Sequence, residues 1–461
     1  ELQVDNQWQL KPGAYVRRKQ TGELETQFNV ANRAAFKINF DPDQKTFRMA
    51  RGDSKAIPIY PLMKELGVDD DTLEKQWGKE VLAANKSDRG SAGALDKFFK
   101  VDKKRAPKDI EEARAYFHEV MADSKLRPEA TEITLGKGFT HINGDVFARA
   151  TKKMLAVQNG APEDERDSLV FKNLRTTGDY AKDKLTSYGV QKQVGYKVRR
   201  QINKPGASVR DIVPTDLFND QVKSTFTDNS LVRMAGQVNP IEMMSSSFQT
   251  TIMGPGGIQG ENAIMDEAKL IGSSHLGYLD PINTPEGGKT GITLHLPLGV
   301  KKEGENPTIP AFNIRTGKME RVAPKTFYDS KVVLPDQVRW AGGKPIPLSK
   351  QVQMSRVGNE LEKGAFHQAD YVLANQSQLF GVTSNMIPFL GNNSGNRASY
   401  ATSHIEQAIS LKDRDEPLVQ VGTGRHDETF EGFMGKNSAQ RAAVSGTVMG
   451  VTKSAISIRS T

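Results

Sequence analysis

Ser273-Ser-His-Leu-Gly-Tyr-Leu-Asp-Pro-Ile-Asn-Thr-Pro-Glu-Gly287 reads as a rigid turn. Pro281 and Pro285 fix φ and remove two backbone donors, while Gly277 and Gly287 let the chain reverse without steric cost. On its N-terminal side, residues 254–260 are glycine-rich, and Asn239-Pro240 breaks the preceding pattern. On its C-terminal side, residues 289–380 carry Pro and Gly turns at hairpin-like spacing and read mostly as β-structure.

Further out, both kinds of periodicity occur. Phe36, Ile38 and Phe40 alternate onto one strand face, and Asp41-Pro-Asp turns into a second strand at Thr46-Phe-Arg-Met. A helix is expected after Pro58, ended by Gly67. Asp69-Asp70-Asp71 could suggest a metal, but before Thr72-Leu-Glu-Lys the carboxylates better suit a helix N-terminus, where they meet orphan amides. Residues 86–97 read as a surface loop. Helical patterns cover Glu111–Val120, Val146–Gln158, Gly178–Gln201, Pro214–Phe226 and Asn396–Leu411, and from Val419 onward the pattern returns to β. With no internal repeat, the mixture predicts α+β modules in a multi-domain chain rather than a doubly wound sheet.

The chain has 461 residues, enough for roughly two to four domains. Its formal net charge of +8 suits a polyanionic partner, although a basic surface alone is equally compatible with an ordinary soluble protein. With no cysteine there is neither a disulfide nor a thiolate zinc site. No apolar run reaches the ~18 residues of a membrane span. The opening Glu-Leu-Gln-Val has no basic and apolar leader pattern, and without an initiating Met further residues upstream are expected. His141, His275 and His404 lack metal-ligand spacing, and no Gly-x-Ser-x-Gly elbow supports a hydrolase.

His275-Leu-Gly-Tyr with Pro281-Ile-Asn-Thr-Pro-Glu-Gly287 resembles the H-(Y/W)-G-x-x-x-P-x-E-T-P-E-G segment of the β subunit of multisubunit DNA-directed RNA polymerases. The resemblance is collinear over most of the chain. Arg33–Asp41, Phe47-Arg-Met and Ile57–Gly67 are similar to the β lobe, and Asp145–Gly160 and Arg175–Arg200 to the helices leading into the protrusion. Asn239-Pro240 and Gly254-Pro-Gly-Gly257 match the stretch before and at the fork loop. Ile387-Pro-Phe-Leu with Asn396-Arg-Ala398, then His404–Gln407, Asp415–Val419 and Gly422-Thr-Gly424, resemble the motifs that follow.

The resemblance implies a lobe-like domain over 1–175, a protrusion-like helical segment over 176–235 and a fork region over 236–300. A β-rich external insertion over 301–385 and a return to the fork over 386–461 follow, leading toward a barrel on another chain. A complete double-psi β-barrel is not expected here. Neither the family's paired lysines nor the D-F-D-G-D of β′ occurs. The chain therefore looks like the N-terminal part of a split β subunit, most like those of giant, phiKZ-like bacteriophages. Mg2+ would sit on a partner subunit. The partners would be a C-terminal β fragment, β′-like subunits, template DNA, nascent RNA and NTPs. The place would be the cytoplasm of an infected bacterial host, with packaging in a virion open.

For sites, the resemblance assigns no catalytic residue to this chain. It places Arg397 and Asn396 at the NTP triphosphate, which a guanidinium can grip bidentately; a carboxylate partner or a capping role is the ordinary alternative for such an arginine. Glu286 and Gly287 would lie near RNA or the nucleotide, and Gln407 near the RNA backbone. Phe36 stands where the family has a tryptophan near downstream DNA. Lys197, Arg199, Arg200, Lys204 and Arg210 form a cluster suited to phosphates, or a solvated helical face. Gly254, Pro255, Gly256 and Gly257 would be the flexible fork loop; they lack the Gly-Lys-[Ser/Thr] ending of a phosphate cradle. Asn283, Lys289 and Glu406 depart from the family's Glu, Asn and Arg. Gly236, Ser246 and Thr251 stand where rifampicin-sensitive enzymes carry Asp, His and Ser. A nucleic-acid-binding scaffold derived from a polymerase is the alternative reading.

Overall fold

The computed structural model describes residues 2–5, 12–19, 21–51, 56–86, 91–164, 168–202, 204–206, 208, 218–234, 236, 238–255, 257–355, 361–409, 411–412, 415, 417–423, 428–438 and 442–460. The chain divides into two compact units, one formed by residues 5–173 and the other by residues 1–4 with 174–461. Among the described residues it mixes helices and several sheets without a closed barrel, an α+β architecture.

Residues 5–173 are built on a five-stranded antiparallel meander of Gly13–Arg18, Leu24–Asn29, Phe36–Asp41, Thr46–Ala50 and Ile57–Pro58, each strand pairing with the next. In Phe36–Asp41 the alternation is complete: Phe36, Ile38 and Phe40 are buried while the residues between are half-buried. The described α-helices that follow are α1 (Ile59–Glu65), α2 (Asp70–Asn85), α3 (Ala92–Lys103), α4 (Ile110–Asp123), α5 (Pro128–Leu135) and α6 (Gly144–Gln158). The three-aspartate run caps α2, with the Asp69 carboxylate accepting from the Thr72 amide at 2.6 Å. Asp109 and Asn143 cap α4 and α6 in the same way.

One core joins the sheet to these helices. Phe36 lies inside it, 2% exposed, stacked on Phe28 at 4.8 Å and edge-on to Phe147 at 6.0 Å. The expectation of a DNA contact is therefore corrected: strand alternation turns this ring inward, where no base can reach it. The expected loop over 86–97 is corrected too. From Ala92 the chain is helical, because Leu95, Phe98 and Phe99 at i, i+3 and i+4 bury one face.

In the other unit, α7 (Thr177–Thr186) and α8 (Tyr188–Ile202) replace the single long helix expected, broken where Ser187 takes an extended ψ of 147°. Residues 209–217, including Arg210 and the start of the Pro214–Phe226 pattern, lie outside the described residues; α9 spans Asn219–Thr227. After α10 (Pro240–Ser247) comes a four-stranded sheet in the order Leu174–Arg175, Leu2–Val4, Gln249–Thr251, Thr293–His295. Residues 301–373 form a largely antiparallel sheet around a core of Phe312, Val333, Val352, Met354 and Val372, with the short helix α11 (Pro324–Tyr328). α12 runs from Gly395 and ends at Gln407, four residues short of expectation. The β pattern expected from Val419 is interrupted by α13 (Phe430–Ser438), leaving a hairpin of Gly446–Val451 and Ile456–Ser460.

One carboxylate braces the meander. Glu25, with 1% of its side chain exposed, sits between Arg17 at 2.7 Å, Lys37 at 3.1 Å and Lys19 at 3.6 Å. Burial alone would push its pKa up, but the hydrogen bonds from Arg17 and Lys37 outweigh burial and hold it below the ordinary 4.5. The folded value is the lower one, so Glu25 adds stability above pH 4.5 that is lost as pH falls through the folded value. Glu25→Gln should cost about 1–3 kcal/mol at neutral pH. Urea unfolding at neutral and acid pH should show the gap to the parent closing on acidification.

Candidate nucleotide and nucleic-acid interface

The site is organised around a carboxylate at the C-terminal end of α12. Glu406 Oε1 accepts hydrogen bonds from Asn283 Nδ2 at 2.7 Å, Ser245 Oγ at 2.6 Å and Thr383 Oγ1 at 2.8 Å. The three donors come from the Pro-Ile-Asn-Thr-Pro-Glu-Gly turn, from α10 and from the segment preceding α12. Asn239 adds a second tie. Its Oδ1 accepts from the Ile241 amide at 2.9 Å, capping α10, while its Nδ2 donates to the carbonyls of Ile405 and Glu406 at 2.8 and 2.9 Å. One side chain thus satisfies the start of one helix and the end of another.

Asp280 makes the matching tie on the other side of the turn. It is fully buried and accepts from the amides of Ile282 at 2.9 Å and Gly381 at 2.8 Å and from Ser384 Oγ at 2.6 Å. Burial raises its pKa above its ordinary value despite those three bonds, which favour the charged form. His295 Nδ1 lies 3.0 Å from the Asn283 carbonyl, so that nitrogen carries the proton. The Pro-Glu-Gly corner is held from within: Thr290 Oγ1 donates to the carbonyls of Pro285 and Gly287, and Gly287 takes φ +89°. Glu286 and Gly287 project into solvent from this braced corner.

Arg397 stands at the opposite end of α12. Ser394 caps the helix, and Asn396 and Arg397 are exposed in its first turn. Nine residues separate Arg397 from Glu406, half a turn out of phase and about 13 Å along the axis. With Glu406 fastened inward, Arg397 falls on the outward face with Tyr400, which is 53% exposed, and His404. Among the described residues no carboxylate pairs with Arg397, and no hydrogen bond joins Arg397 or Asn396 to Glu286, Gly287 or Gln407. A guanidinium beside the positive end of a helix dipole is unfavourable until an anion arrives.

Gly254 takes φ +99° where the chain turns. The amides of Gly257 and Ile258 bond to the carbonyls of Gly254 and Ile252, and Gln3 Nε2 reaches the Met253 carbonyl at 2.7 Å. A Cβ on Gly257 would stand 2.1 Å from the Ile252 carbonyl oxygen, so only glycine fits. Pro255 accepts from Arg175 at 3.1 Å; Gly256 lies outside the described residues. Arg199, Arg200 and Lys204 are exposed.

Sequence reading singled out Asn283 and Glu406 separately, as departures from a family pattern; it did not pair them, and it passed over Ser245, Thr383 and Asp280. An aspartate two residues before a free amide is an Asx-turn signal that could have marked Asp280. Lys289, the third departure, faces Glu261 at 3.7 Å. A cleft of about 380 Å³ opens beside Glu406, Glu242, Ser246 and His295. Among the described residues no group of three or more His, Asp or Glu side chains converges as a metal-ligand set.

Residues 233–300, which hold α10, the 254–258 turn and the Pro-Glu-Gly corner, match the family described as RNA polymerase Rpb2, domain 3. Over a longer span the chain is similar to β subunits of DNA-directed RNA polymerase. That of Prochlorococcus marinus (strain MIT 9215) is 25% identical over 462 residues, covering 92% of this chain and 41% of that protein. That of Mesomycoplasma hyopneumoniae (strain 232) is 25% identical over 318 residues, covering 67% and 25%. That of Oltmannsiellopsis viridis is 23% identical over 449 residues, covering 90% and 30%. The chain thus resembles a region of an RNA polymerase β subunit and spans about a quarter to two fifths of these relatives.

Glu406→Ala leaves three donors without their acceptor, on side chains from residues 5%, 2% and 0% exposed. We expect a loss of about 3 kcal/mol by urea denaturation. A loss under about 0.5 kcal/mol would show that the clamp does not hold the helix.

Proposed function

We propose that this chain is the N-terminal portion of a split β subunit of a DNA-directed RNA polymerase. It takes part in nucleotidyl transfer only when assembled. In this reading it forms one wall of the active-centre cleft, with lobe, protrusion, fork, insertion and fork-return modules over 1–175, 176–235, 236–300, 301–385 and 386–461. A C-terminal β fragment and β′-like subunits complete the enzyme, and Mg2+ is held by a partner subunit. Template DNA, nascent RNA and NTPs are the ligands. A giant bacteriophage is the proposed source, with the enzyme working in the cytoplasm of its bacterial host. No described helix is long and apolar enough to cross a membrane.

The observation that carries the reading is the similarity of 92% of the chain, in one collinear span, to a polymerase β subunit. Arg397 supports it chemically: a permanently charged fork at a helix N-terminus, without a carboxylate partner among the described residues, is suited to a triphosphate. Asn396, Glu286, Gly287 and Gln407 are proposed as its neighbours along NTP and RNA. Arg199, Arg200 and Lys204 are proposed contacts to the nucleic-acid backbone.

Purified alone, the chain should incorporate no NTP, whereas the assembled complex should. In that complex Arg397→Ala should raise the NTP KM or lower kcat at least ~10-fold, in line with a lost charge-assisted contact. Normal kinetics would remove Arg397 from the site. Resistance to rifampicin is proposed as well, since Gly236 and Ser246 offer the drug little to bond. Inhibition of the assembled enzyme at ordinary drug concentrations would refute this.

A further inference from the structure

The chain's positive charge is not spread evenly. Residues 184–210 hold seven Lys and Arg and no Asp or Glu, a charge of +7 against +8 for the entire sequence. Most of this stretch is α8. At 100° per residue, Lys192, Tyr196, Arg199 and Arg200 fall within one ~80–100° arc of that helix, while Val194 and Val198 lie on the other side. Exposure follows the same division. Lys192, Tyr196, Arg199 and Arg200 are exposed, Tyr196 to 65%, whereas Val194 and Val198 are half-buried. Among the described residues neither Arg199 nor Arg200 has a carboxylate within ion-pair distance. Tyr196 thus sits as an exposed aromatic ring between Lys192 and the Arg199–Arg200 pair.

We propose that this face of α8 binds single-stranded nucleic acid, with Tyr196 stacking on an unpaired base while Arg199, Arg200 and Lys192 hold the flanking phosphates. The inference rests on the backbone contact proposed above for Arg199 and Arg200, and it specifies the form of the ligand. Cations alone would serve a duplex equally well. A ring in their midst adds affinity only where a base face is open, as it is on a single strand and is not within a stacked duplex.

The test is fluorescence anisotropy of the full chain with a labelled oligo(dT) of about 20 nucleotides and with a duplex of the same length, between about 50 and 200 mM salt. The single strand should bind tighter. Tyr196→Ala should weaken it about tenfold and leave the duplex unchanged, while Tyr196→Phe keeps the parental affinity. The double variant Arg199→Ala/Arg200→Ala should weaken both ligands and flatten the single-strand salt slope by about 1.4. Tyr196→Ala binding oligo(dT) like the parent, Tyr196→Phe losing affinity as Tyr196→Ala does, or a duplex bound tighter than the single strand, would each overturn the stacking role while leaving the backbone contact standing. An unchanged salt slope in the double variant would overturn the backbone contact itself.

Discussion

A single carboxylate oxygen, Glu406 Oε1, holds together four segments that are far apart in sequence. Its donors Ser245, Asn283 and Thr383 lie 161, 123 and 23 residues away. A partly buried anion is costly unless its lone pairs are filled, and here hydroxyl and amide donors fill them without a counter-cation. The directionality of those bonds fixes more than proximity. It sets the rotation of α12 about its own axis, the end of α10 and the height of the turn that leads to Glu286.

From that fixed rotation the outward face of α12 follows. Helix periodicity carries Arg397, Tyr400 and His404 to the side opposite the clamp. The backbone amides of the first turn add positive potential where Arg397 begins, and Ser394 Oγ accepts from one of them. Asp280 performs the equivalent service at the start of the Pro-Glu-Gly turn by tying it to Gly381 and Ser384, while Thr290 braces the corner itself. One buried and one partly buried acid therefore set the directions of exposed side chains such as those of Glu286 and Arg397. That division suits a surface meant for a ligand, because a group already engaged in holding the fold cannot also bind.

The unit formed by residues 5–173 spends its aromatic residues differently. Phe28, Phe36, Phe40, Phe47, Phe117 and Phe147 go into its core, and ion pairs such as those around Glu25 tie the strands together. Its cations are largely matched by acids. The net positive charge of the chain is concentrated instead in residues 184–210, most of which form α8. Charge and core are thus segregated, which allows a polyanion to be approached without burying unpaired cations.

Much of the architecture was legible in the sequence because it is set by local rules. The period of two at Phe36, Ile38 and Phe40 gave a strand; the three aspartates before Thr72 gave a cap; apolar spacing gave α4, α6 and α12. The order of short motifs gave the likeness to a polymerase β subunit. Other features depended on which segments meet in space. The residues from Ala92 onward look like a loop until Leu95, Phe98 and Phe99 find a surface to cover. Phe36 could face a ligand or a core until the sheet chooses its covered side. Asn283 and Glu406 were each visible as unusual residues, but only the fold makes them partners. Local propensity is written in neighbours along the chain, whereas burial and hydrogen-bond pairing are decided by residues a hundred or more positions away, and no window of sequence contains both halves of such a contact.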